Sequence, residues 1–314
     1  MNYLLLKNVA TDIKFFETLY SSPSNHYKVF KIPKRSIGFR IIAQPTKNVK
    51  DYQRKIVRVL EPLTAIHSAA TAYKKNQGIK DNAFIHKNSE FLLKLDLVNF
   101  FNSITPEMFF NALNVQKIKY SENDRMAMSE YLFWNINERR ADNKKLVLSV
   151  GAPSSPFISN FVMFAFDKKI SQFCLANSIN YSRYADDLTF STKDKNVLFN
   201  VISEVQTTLK ACFGHKLKIN TSKTIFSSKA HNRHVTGITL TNNNQLSIGR
   251  ERKRYISALV HKASLNMLPK EDIHHLQGLI SFARHIEPTF IQRLERRYGK
   301  DIIHNIINTD LDKF

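Results

Sequence analysis

The sequence predicts an α+β fold, with an antiparallel sheet and helices followed by a helical C-terminal unit. Three observations lead to this prediction. They are a short apolar run at 91–96, an alternating apolar and polar pattern on both sides of Asp186 and Asp187, and a basic, helix-patterned segment after Gly237. The predicted order of elements along the chain is strand, helix, helix, hairpin, helix, strand.

The composition is typical of an ordered globular protein that engages a polyanion. The chain has 314 residues, of which 43% are hydrophobic, and this is enough for one large or two modest domains. A formal net charge of +21 favours nucleic acid as the partner. No apolar stretch is long enough to cross a bilayer, and Cys174 and Cys212 fit neither a zinc site nor a disulfide framework. We therefore expect no membrane partner and a cytoplasmic location.

The first 90 residues are predicted to contain a β-hairpin and a helix. Two β-rich runs within 28–45 flank a turn that includes Ser36 and Gly38. A helix is expected over 51–60 and ends before a proline.

The middle of the chain is predicted to alternate strands and helices. Phe91–Asp96 has the length and apolar character of a buried strand. Thr105 and Pro106 have the residue types of a helix N-cap and a first helical position. Further helices are expected over 155–175 and 197–212.

Asp96 ends one predicted strand, and an acidic pair forms the turn between two further predicted strands. Asp186 and Asp187 lie at a tight turn, where adjacent carboxylates repel each other and need a nearby cation such as Mg²⁺. If the strand that ends at Asp96 lay beside this hairpin, the carboxylates would form a cradle for two metal ions that serves in-line phosphoryl transfer. The alternatives are an ordinary surface turn and an Asp96 that only caps the next segment.

Small residues precede the predicted helix at 155. Gly151, Ala152 and Pro153 would let a flat substrate approach the backbone closely. An ordinary loop that leads into a helix is the alternative.

Taken in order, these segments resemble the palm motifs of reverse transcriptases. The resemblance covers 95–104, 151–156, 184–187, 218–224 and 234–238. Two shorter elements, Asn82-Ala-x-x-His86 and Val235-Thr236-Gly237, are similar to elements of bacterial retron reverse transcriptases. The resemblance extends over nearly the whole chain and departs at Val150, where related enzymes commonly have Gln.

The resemblance implies a right-hand polymerase, with fingers and palm over 1–235 and a helical, RNA-binding thumb over 236–314. The implied activity is RNA-directed DNA polymerisation with two Mg²⁺ ions and dNTPs. A cognate structured noncoding RNA would supply both the template and a guanosine 2′-hydroxyl as primer, which gives a branched RNA–DNA product (msDNA). The resemblance also implies antiphage defence with a separate effector protein.

The residues implied to be catalytic are Asp96, Asp186, Asp187 and Lys223, and the three aspartates are also the implied metal ligands. Because neighbours along a strand point to opposite faces, Asp187 is expected to bind metal less well and to tune the site electrostatically. Lys223 would protonate the leaving pyrophosphate. An ordinary surface charge is the alternative for Lys223.

The residues implied to bind nucleotide are Arg40, Phe101, Gly151, Ala152 and Pro153. The guanidinium fork of Arg40 suits triphosphate oxygens. Phe101 would act as a steric gate against a ribose 2′-hydroxyl. The alternative for Phe100 and Phe101 is core packing, which is common for paired aromatic residues.

The residues implied to contact RNA are Asn82, His86, Val235, Thr236, Gly237, Arg250, Arg252, Lys253, Arg254, Arg296 and Arg297. Asn82 and His86 are expected to be either structural or RNA-contacting, not chemical. Tyrosines beside the basic clusters suit stacking on unpaired bases. A solvated helix face is the alternative for the basic clusters.

Two other functions remain open on the sequence alone. One is a different bacterial reverse transcriptase. The lack of maturase and endonuclease segments disfavours the intron type, and the two retron-like elements disfavour the abortive-infection type. The other is a non-catalytic RNA-binding scaffold, which the presence of all three aspartates disfavours.

Overall fold

The computed structural model describes residues 3–11, 13–33, 38–137 and 143–308. Ser36, in the predicted hairpin turn, lies outside the described residues. The helices are α1 Ile13–Tyr20, α2 Lys47–Leu60, α3 Ile79–His86, α4 Phe100–Ser103, α5 Pro106–Val115, α6 Glu122–Leu132, α7 Ser155–Val162, α8 Phe164–Ala176, α9 Val201–Phe213, α10 Arg250–Ser264, α11 Lys270–Ile286, α12 Pro288–Tyr298 and α13 Lys300–Asn308. The strands are β1 Tyr27–Pro33, β2 Phe39–Pro45, β3 Phe91–Asp96, β4 Trp134–Asn135, β5 Leu146–Val147, β6 Asn180–Tyr184, β7 Asp187–Thr192, β8 Ile225–Ser228, β9 Arg233–Val235, β10 Ile238–Leu240 and β11 Leu246–Ser247.

The strands form small sheets with simple order. β1 pairs with β2 in antiparallel fashion, so that Ile32 lies opposite Arg40. The four-stranded sheet has the order β6-β7-β3-β8, and the three-stranded sheet has the order β11-β10-β9. The predicted strand at 91–96 and the predicted hairpin around 184–187 are therefore confirmed, and the two are neighbours.

Two sequence-based predictions of helices are wrong. The helix expected over 155–175 is two helices, because Met163 has ψ −2°, far from the helical value near −42°. The segment after Gly237 is not helical at once, because β9, β10 and β11 form a meander before α10 begins at Arg250. Thr236 and Gly237 both have positive φ, at 48° and 80°, as a two-residue hairpin turn requires.

One compact unit comprises residues 1–75, 93–190 and 196–225. In α2 the buried residues recur at helical spacing, with Tyr52, Ile56 and Leu60 on the inner face. Tyr52 packs against Phe15 and Tyr131, whose rings stack with centroids 5.1 Å apart. This unit contains β6, most of β7 and most of β3.

The other compact unit comprises residues 76–92, 191–195 and 226–314. Its core is built from the inner faces of α10 to α13, with buried residues such as Val260, Ile280 and Leu294, and includes Val235 from β9. Residues 76–92 group with the C-terminal residues in this unit. The division into fingers and palm over 1–235 and a thumb over 236–314 stays a prediction. None of the helices that the structure describes has the length and apolar character needed to cross a bilayer.

Candidate active site

The three predicted aspartates lie where β3 ends and β7 begins. Asp96 is the last residue of β3 and Asp187 is the first of β7. The backbone N–H of Leu97 donates to the carbonyl of Asp186 at 3.1 Å, which ties the end of β3 to the acidic turn. Asp96 therefore lies beside the acidic turn, as expected if the two strands are neighbours.

Burial and a neighbouring carboxylate raise the pKa of both aspartates of the turn. Burial, followed by the charge of Asp96, raises the pKa of Asp186. Burial, followed by the charges of Asp186 and Asp96, raises the pKa of Asp187 to about 6. The site is thus a cluster of mutually repelling carboxylates, and a cation would relieve that repulsion.

Lys223 already places one positive charge on this cluster. Its Nζ lies 2.9 Å from Oδ2 of Asp96, although 61% of the lysine side chain is exposed. The hydrogen bond to Asp96 raises the pKa of Lys223, so the ammonium form is favoured at neutral pH. The segment that carries Lys223 is fixed beside β3, since the N–H of Asn220 donates to the carbonyl of Asp96 at 2.7 Å.

The carboxylates of the site fit Mg²⁺ when substrate phosphates and water supply its remaining ligands. Among the residues that the structure describes, no group of three or more His, Cys, Asp or Glu side chains forms a ready-made metal cage. Mg²⁺ is usually held by one or two carboxylates, with substrate phosphates and water as the other ligands. Asp96 and Asp186 supply that number of carboxylates.

A cavity of about 400 Å³ lies in the same unit and contains most residues predicted to bind nucleotide. Phe101, Gly151, Ala152 and Pro153 line it. Phe100 is 3% exposed and belongs to the core, whereas Phe101 is half-buried and faces the cavity. The two aromatic residues therefore separate into one core residue and one cavity residue.

The loop before α7 contacts β2 through main-chain atoms. The N–H of Ala43 donates to the carbonyl of Val150 at 3.0 Å, and the hydroxyl of Ser149 donates to the carbonyl of Ala43. Gly151 has φ +120°, and a Cβ there would lie 3.1 Å from the carbonyl oxygen of Ala43. This packing does not depend on the side chain of Val150.

Arg40 and Tyr73 lie close enough to the acidic turn to interact electrostatically with Asp186. The positive charge of Arg40 partly opposes the rise in the pKa of Asp186. Tyr73 lines the cavity, and its ring centroid is 6.4 Å from that of Phe101. Burial, followed by the charge of Asp186, raises the pKa of the Tyr73 phenol.

Sequence reasoning missed Tyr73 and two basic residues of α2, Lys50 and Arg54, which also line the cavity. Tyr73 has the unusual φ of 61°, which no local sequence pattern announces for a tyrosine. Lys50 and Arg54 lie one helical turn apart, and this spacing is the only signal that links them.

The two retron-like elements contact each other in the second unit. Asn82 Nδ2 donates to Oγ1 of Thr236 at 3.5 Å, and that hydroxyl donates to the carbonyl of Ile79 at 3.2 Å. His86 is fully buried, with Nδ1 2.8 Å from the hydroxyl of Ser191, and burial lowers its pKa to about 3. Asn82 and Val235 are also fully buried. Because both side chains are buried, a structural role is favoured over RNA contact for Asn82 and His86.

The basic residues predicted to contact RNA fall into two groups. Arg252 lies over the ring of Phe282 at 4.9 Å, and Lys253 pairs with Glu287 at 2.6 Å, so these charges are engaged internally. The exposed basic residues of the predicted RNA-binding set are Arg250, Arg254, Arg296 and Arg297, and Gly237 is also exposed. Arg297 lies over the ring of Tyr298 at 5.3 Å.

Comparison with known proteins identifies the family. Residues 32–240 match the family described as reverse transcriptase (RNA-dependent DNA polymerase). The chain is 58% identical over 288 residues to the Retron Ec83 reverse transcriptase of Escherichia coli, and the match covers 92% of both chains. The chain belongs to the bacterial retron reverse transcriptases. It is therefore an RNA-directed DNA polymerase, as the ordered motifs predicted.

Further similarities agree with this family and with the fold. This retron reverse transcriptase is 31% identical to the Retron Ec73 reverse transcriptase of Escherichia coli, over 90% of each chain. The solved structure of telomerase from Candida albicans in complex with a TWJ fragment of telomeric RNA aligns with TM-score 0.52 at 13% identity. That alignment covers 94% of this chain and 59% of the telomerase chain, and it shows the fold alone. The predicted α+β right-hand polymerase fold is confirmed.

Proposed function

We propose that this retron reverse transcriptase copies a cognate structured noncoding RNA and starts from a guanosine 2′-hydroxyl of that RNA. The product would be a branched RNA–DNA molecule, msDNA. The similarity to the Retron Ec83 enzyme over 92% of both chains supports this substrate class. The observation that supports the chemistry most directly is the cluster of Asp96, Asp186 and Asp187 with Lys223 at the edge of the sheet.

The three aspartates would hold two Mg²⁺ ions together with the phosphates of the incoming dNTP. Such ions polarise the attacking hydroxyl and stabilise the leaving pyrophosphate. Asp96 and Asp186 are the expected principal ligands. Asp187, with its raised pKa, would mainly tune the charge of the site.

Lys223 is proposed as the group that moves a proton to the leaving pyrophosphate. Its raised pKa keeps the proton on Nζ at neutral pH, and its exposed side chain is long enough to turn from Asp96 toward a phosphate. Arg40 would bind the triphosphate, because its positive charge lies close enough to Asp186 to lower the pKa of that carboxyl group.

Phe101 is proposed as the gate that excludes ribonucleotides, and Gly151, Ala152 and Pro153 as the floor of the nucleotide site. Their common position around one cavity of about 400 Å³ supports this assignment. The volume suits a nucleotide-sized ligand.

The exposed arginines of the second unit are proposed to hold the RNA by its phosphates. A net charge of +21 makes a polyanion the favoured partner. The role in antiphage defence, with a separate effector protein and in the cytoplasm, is part of the same proposal. A plaque assay on cells that carry the complete locus would test it, with the catalytically inactive variant as control.

The deciding experiment extracts nucleic acid from cells that express the chain with its native upstream flanking DNA. The matched control is the double variant Asp186→Asn, Asp187→Asn. We expect a discrete short DNA that is joined to RNA, shifts in size on debranching and is absent from the control. DNA without attached RNA, or unchanged RNA binding and biological effect in the control, would contradict the proposal.

A further inference from the structure

A fully buried ion pair lies directly behind the acidic turn. Arg183, in β6, and Asp167, in α8, are both inaccessible to solvent. Nη2 of Arg183 lies 2.7 Å from Oδ2 of Asp167, and Nε donates to Oδ1 at 2.9 Å. The hydroxyl of Tyr181 donates to the same Oδ1 at 2.8 Å. The carboxylate is thus held by a guanidinium fork and by one phenol.

The guanidinium of Arg183 also reaches the acidic turn itself. Nη1 donates to the carbonyl of Ala185 at 3.1 Å and to Oδ1 of Asn160 at 3.1 Å. Ala185 stands immediately before Asp186 and has φ +57°, a left-handed conformation that residues other than glycine rarely adopt. Arg183 therefore holds the strained residue on which the direction of the Asp186 side chain depends.

Arg183 and Asn160 are themselves fixed by hydrogen bonds to main-chain atoms of residues 69–72. The N–H of Arg183 donates to the carbonyl of Ala69 at 2.8 Å, and its carbonyl accepts from the N–H of Thr71 at 2.8 Å. Asn160 Nδ2 donates to the carbonyl of Ala72 at 2.8 Å. The buried cluster thus joins residues 69–72, α7, α8 and β6 at one point.

Stability alone is a weak reason for a buried ion pair. Removing two charges from water is costly, and well-packed apolar residues of similar volume are often as stabilising as the pair. Here the charge supplies something apolar residues lack, which is a rigid fork of donors aimed at Asp167, Asn160 and Ala185 together.

We propose that Arg183, held by Asp167 and Asn160, is a positioning residue that fixes the turn at Ala185 so that Asp186 meets Asp96 around a divalent cation. The inference rests on the proposed function in one respect, namely that Asp96 and Asp186 bind the cation. Arg183 does not touch the cation or the substrate.

The test measures cation affinity directly, with purified full-length protein and no nucleic acid. Mn²⁺ is the probe, because it takes the same hard oxygen ligands as Mg²⁺ and its free form is read by electron paramagnetic resonance. The Asp96→Asn variant defines the binding that belongs to this site. The informative variant is Arg183→Met with Asp167→Leu, which leaves no unpaired charge in the interior but removes the donor to Ala185.

We expect the double variant to unfold near the wild-type temperature and to bind Mn²⁺ about 10–100-fold more weakly, as when a group behind a metal ligand is removed. The matched control is Arg233→Met. Arg233 is 1% exposed and also donates to main-chain carbonyls, at Ser89 and Thr241. It should lower the unfolding temperature and leave the Mn²⁺ affinity unchanged.

A folded double variant with wild-type Mn²⁺ affinity would overturn the inference. If the double variant does not fold, Arg183→Lys replaces it, because an ammonium keeps the charge for Asp167 but lacks the fork that reaches Ala185. Weaker binding in Arg183→Lys supports the inference, and unchanged binding overturns it.

DNA synthesis by the wild-type protein is measured separately. Mn²⁺ binding that depends on Asp96 without any DNA synthesis refutes the proposed function and leaves the affinity comparison valid. Absence of Asp96-dependent binding in the wild-type protein overturns the inference itself, whatever the outcome for synthesis.

Discussion

Asp187 is proposed to serve catalysis, yet the folded protein disfavours the ionised form of its carboxyl group. Burial and the charges of Asp186 and Asp96 raise its pKa from 3.8 to about 6. Between these values the folded protein binds a proton that the unfolded chain has lost, so this group lowers stability as the pH rises through that window. Above about pH 6 the whole of this loss is present.

The Asp187→Asn variant should therefore be more stable than the wild-type protein at pH 8. Because the Asp187 side chain is exposed at the protein surface, solvent screens its charge more than the pKa shift implies. We therefore expect a rise in unfolding temperature of only about 1–3 °C. Thermal unfolding in the presence of a chelator, from pH 4 to pH 8, measures it. The rise should become much smaller toward pH 4, and a difference that is the same at both ends of the range would disprove the electrostatic explanation.

Phe101 is the residue at which a single side chain should decide which sugar is accepted. Its ring faces the cavity, so Phe101→Ala should open space for a 2′-hydroxyl. We expect the preference for dNTPs over NTPs, as the ratio of kcat/KM values, to fall by about 10-fold or more, the factor that corresponds to about 1.4 kcal/mol. Tyr73→Ala is the comparison, since Tyr73 lines the same cavity. Unchanged discrimination in Phe101→Ala would remove the gate assignment.

At the scale of elements, the loop at 149–153 and β2 depend on one glycine. Gly151 combines φ +120° with a close approach to Ala43, so Gly151→Ala should cost about 1–3 kcal/mol in backbone strain and also displace β2. Gly299→Ala is a matched control, because Gly299 has φ +96° but no atom within 4 Å of an added Cβ. Both variants should lose stability, but only Gly151→Ala should raise the KM for dNTP, by about 10-fold. Equal KM values in the two variants would contradict a role of this loop in nucleotide binding.

Elements with a strong local signal were predictable from the sequence. The apolar run at 91–96, the proline at the start of α5 and the turn at Asp186 each specify their own structure through composition. The break at Met163 was not predictable, because no proline or glycine marks it and the helical pattern continues on both sides. The meander before α10 was missed because its strands have only two or three residues.

The candidate site was predictable only as far as its motifs reach. Asp96, Asp186 and Lys223 carry recognisable sequence contexts, and the structure places Lys223 on Asp96. The buried contact of Arg183 with Asp167 and the position of Tyr73 beside Phe101 are tertiary contacts without a local pattern. Sequence reasoning thus gave the chemical groups and left out the residues that support them.

For the whole molecule, the excess of positive charge predicts how RNA affinity depends on salt. Each arginine that neutralises a phosphate releases counterions, so the slope of log K against log salt should fall by about 0.7–0.9 for each arginine removed. The exposed arginines Arg250, Arg254, Arg296 and Arg297 were predicted from the sequence to contact RNA. Changing all four to Gln should lower the slope by about 3 if each contacts a phosphate.

The matched control changes Lys253 to Gln, because its ammonium pairs with Glu287 at 2.6 Å and is not available to a phosphate. Binding of the noncoding RNA proposed as the template is measured by filter retention from 50 to 300 mM salt. The control should keep the wild-type slope even where it loses some stability. An unchanged slope in the fourfold variant would mean that the RNA is held by other basic residues, of which Lys50 and Arg54 at the cavity would be the next to change.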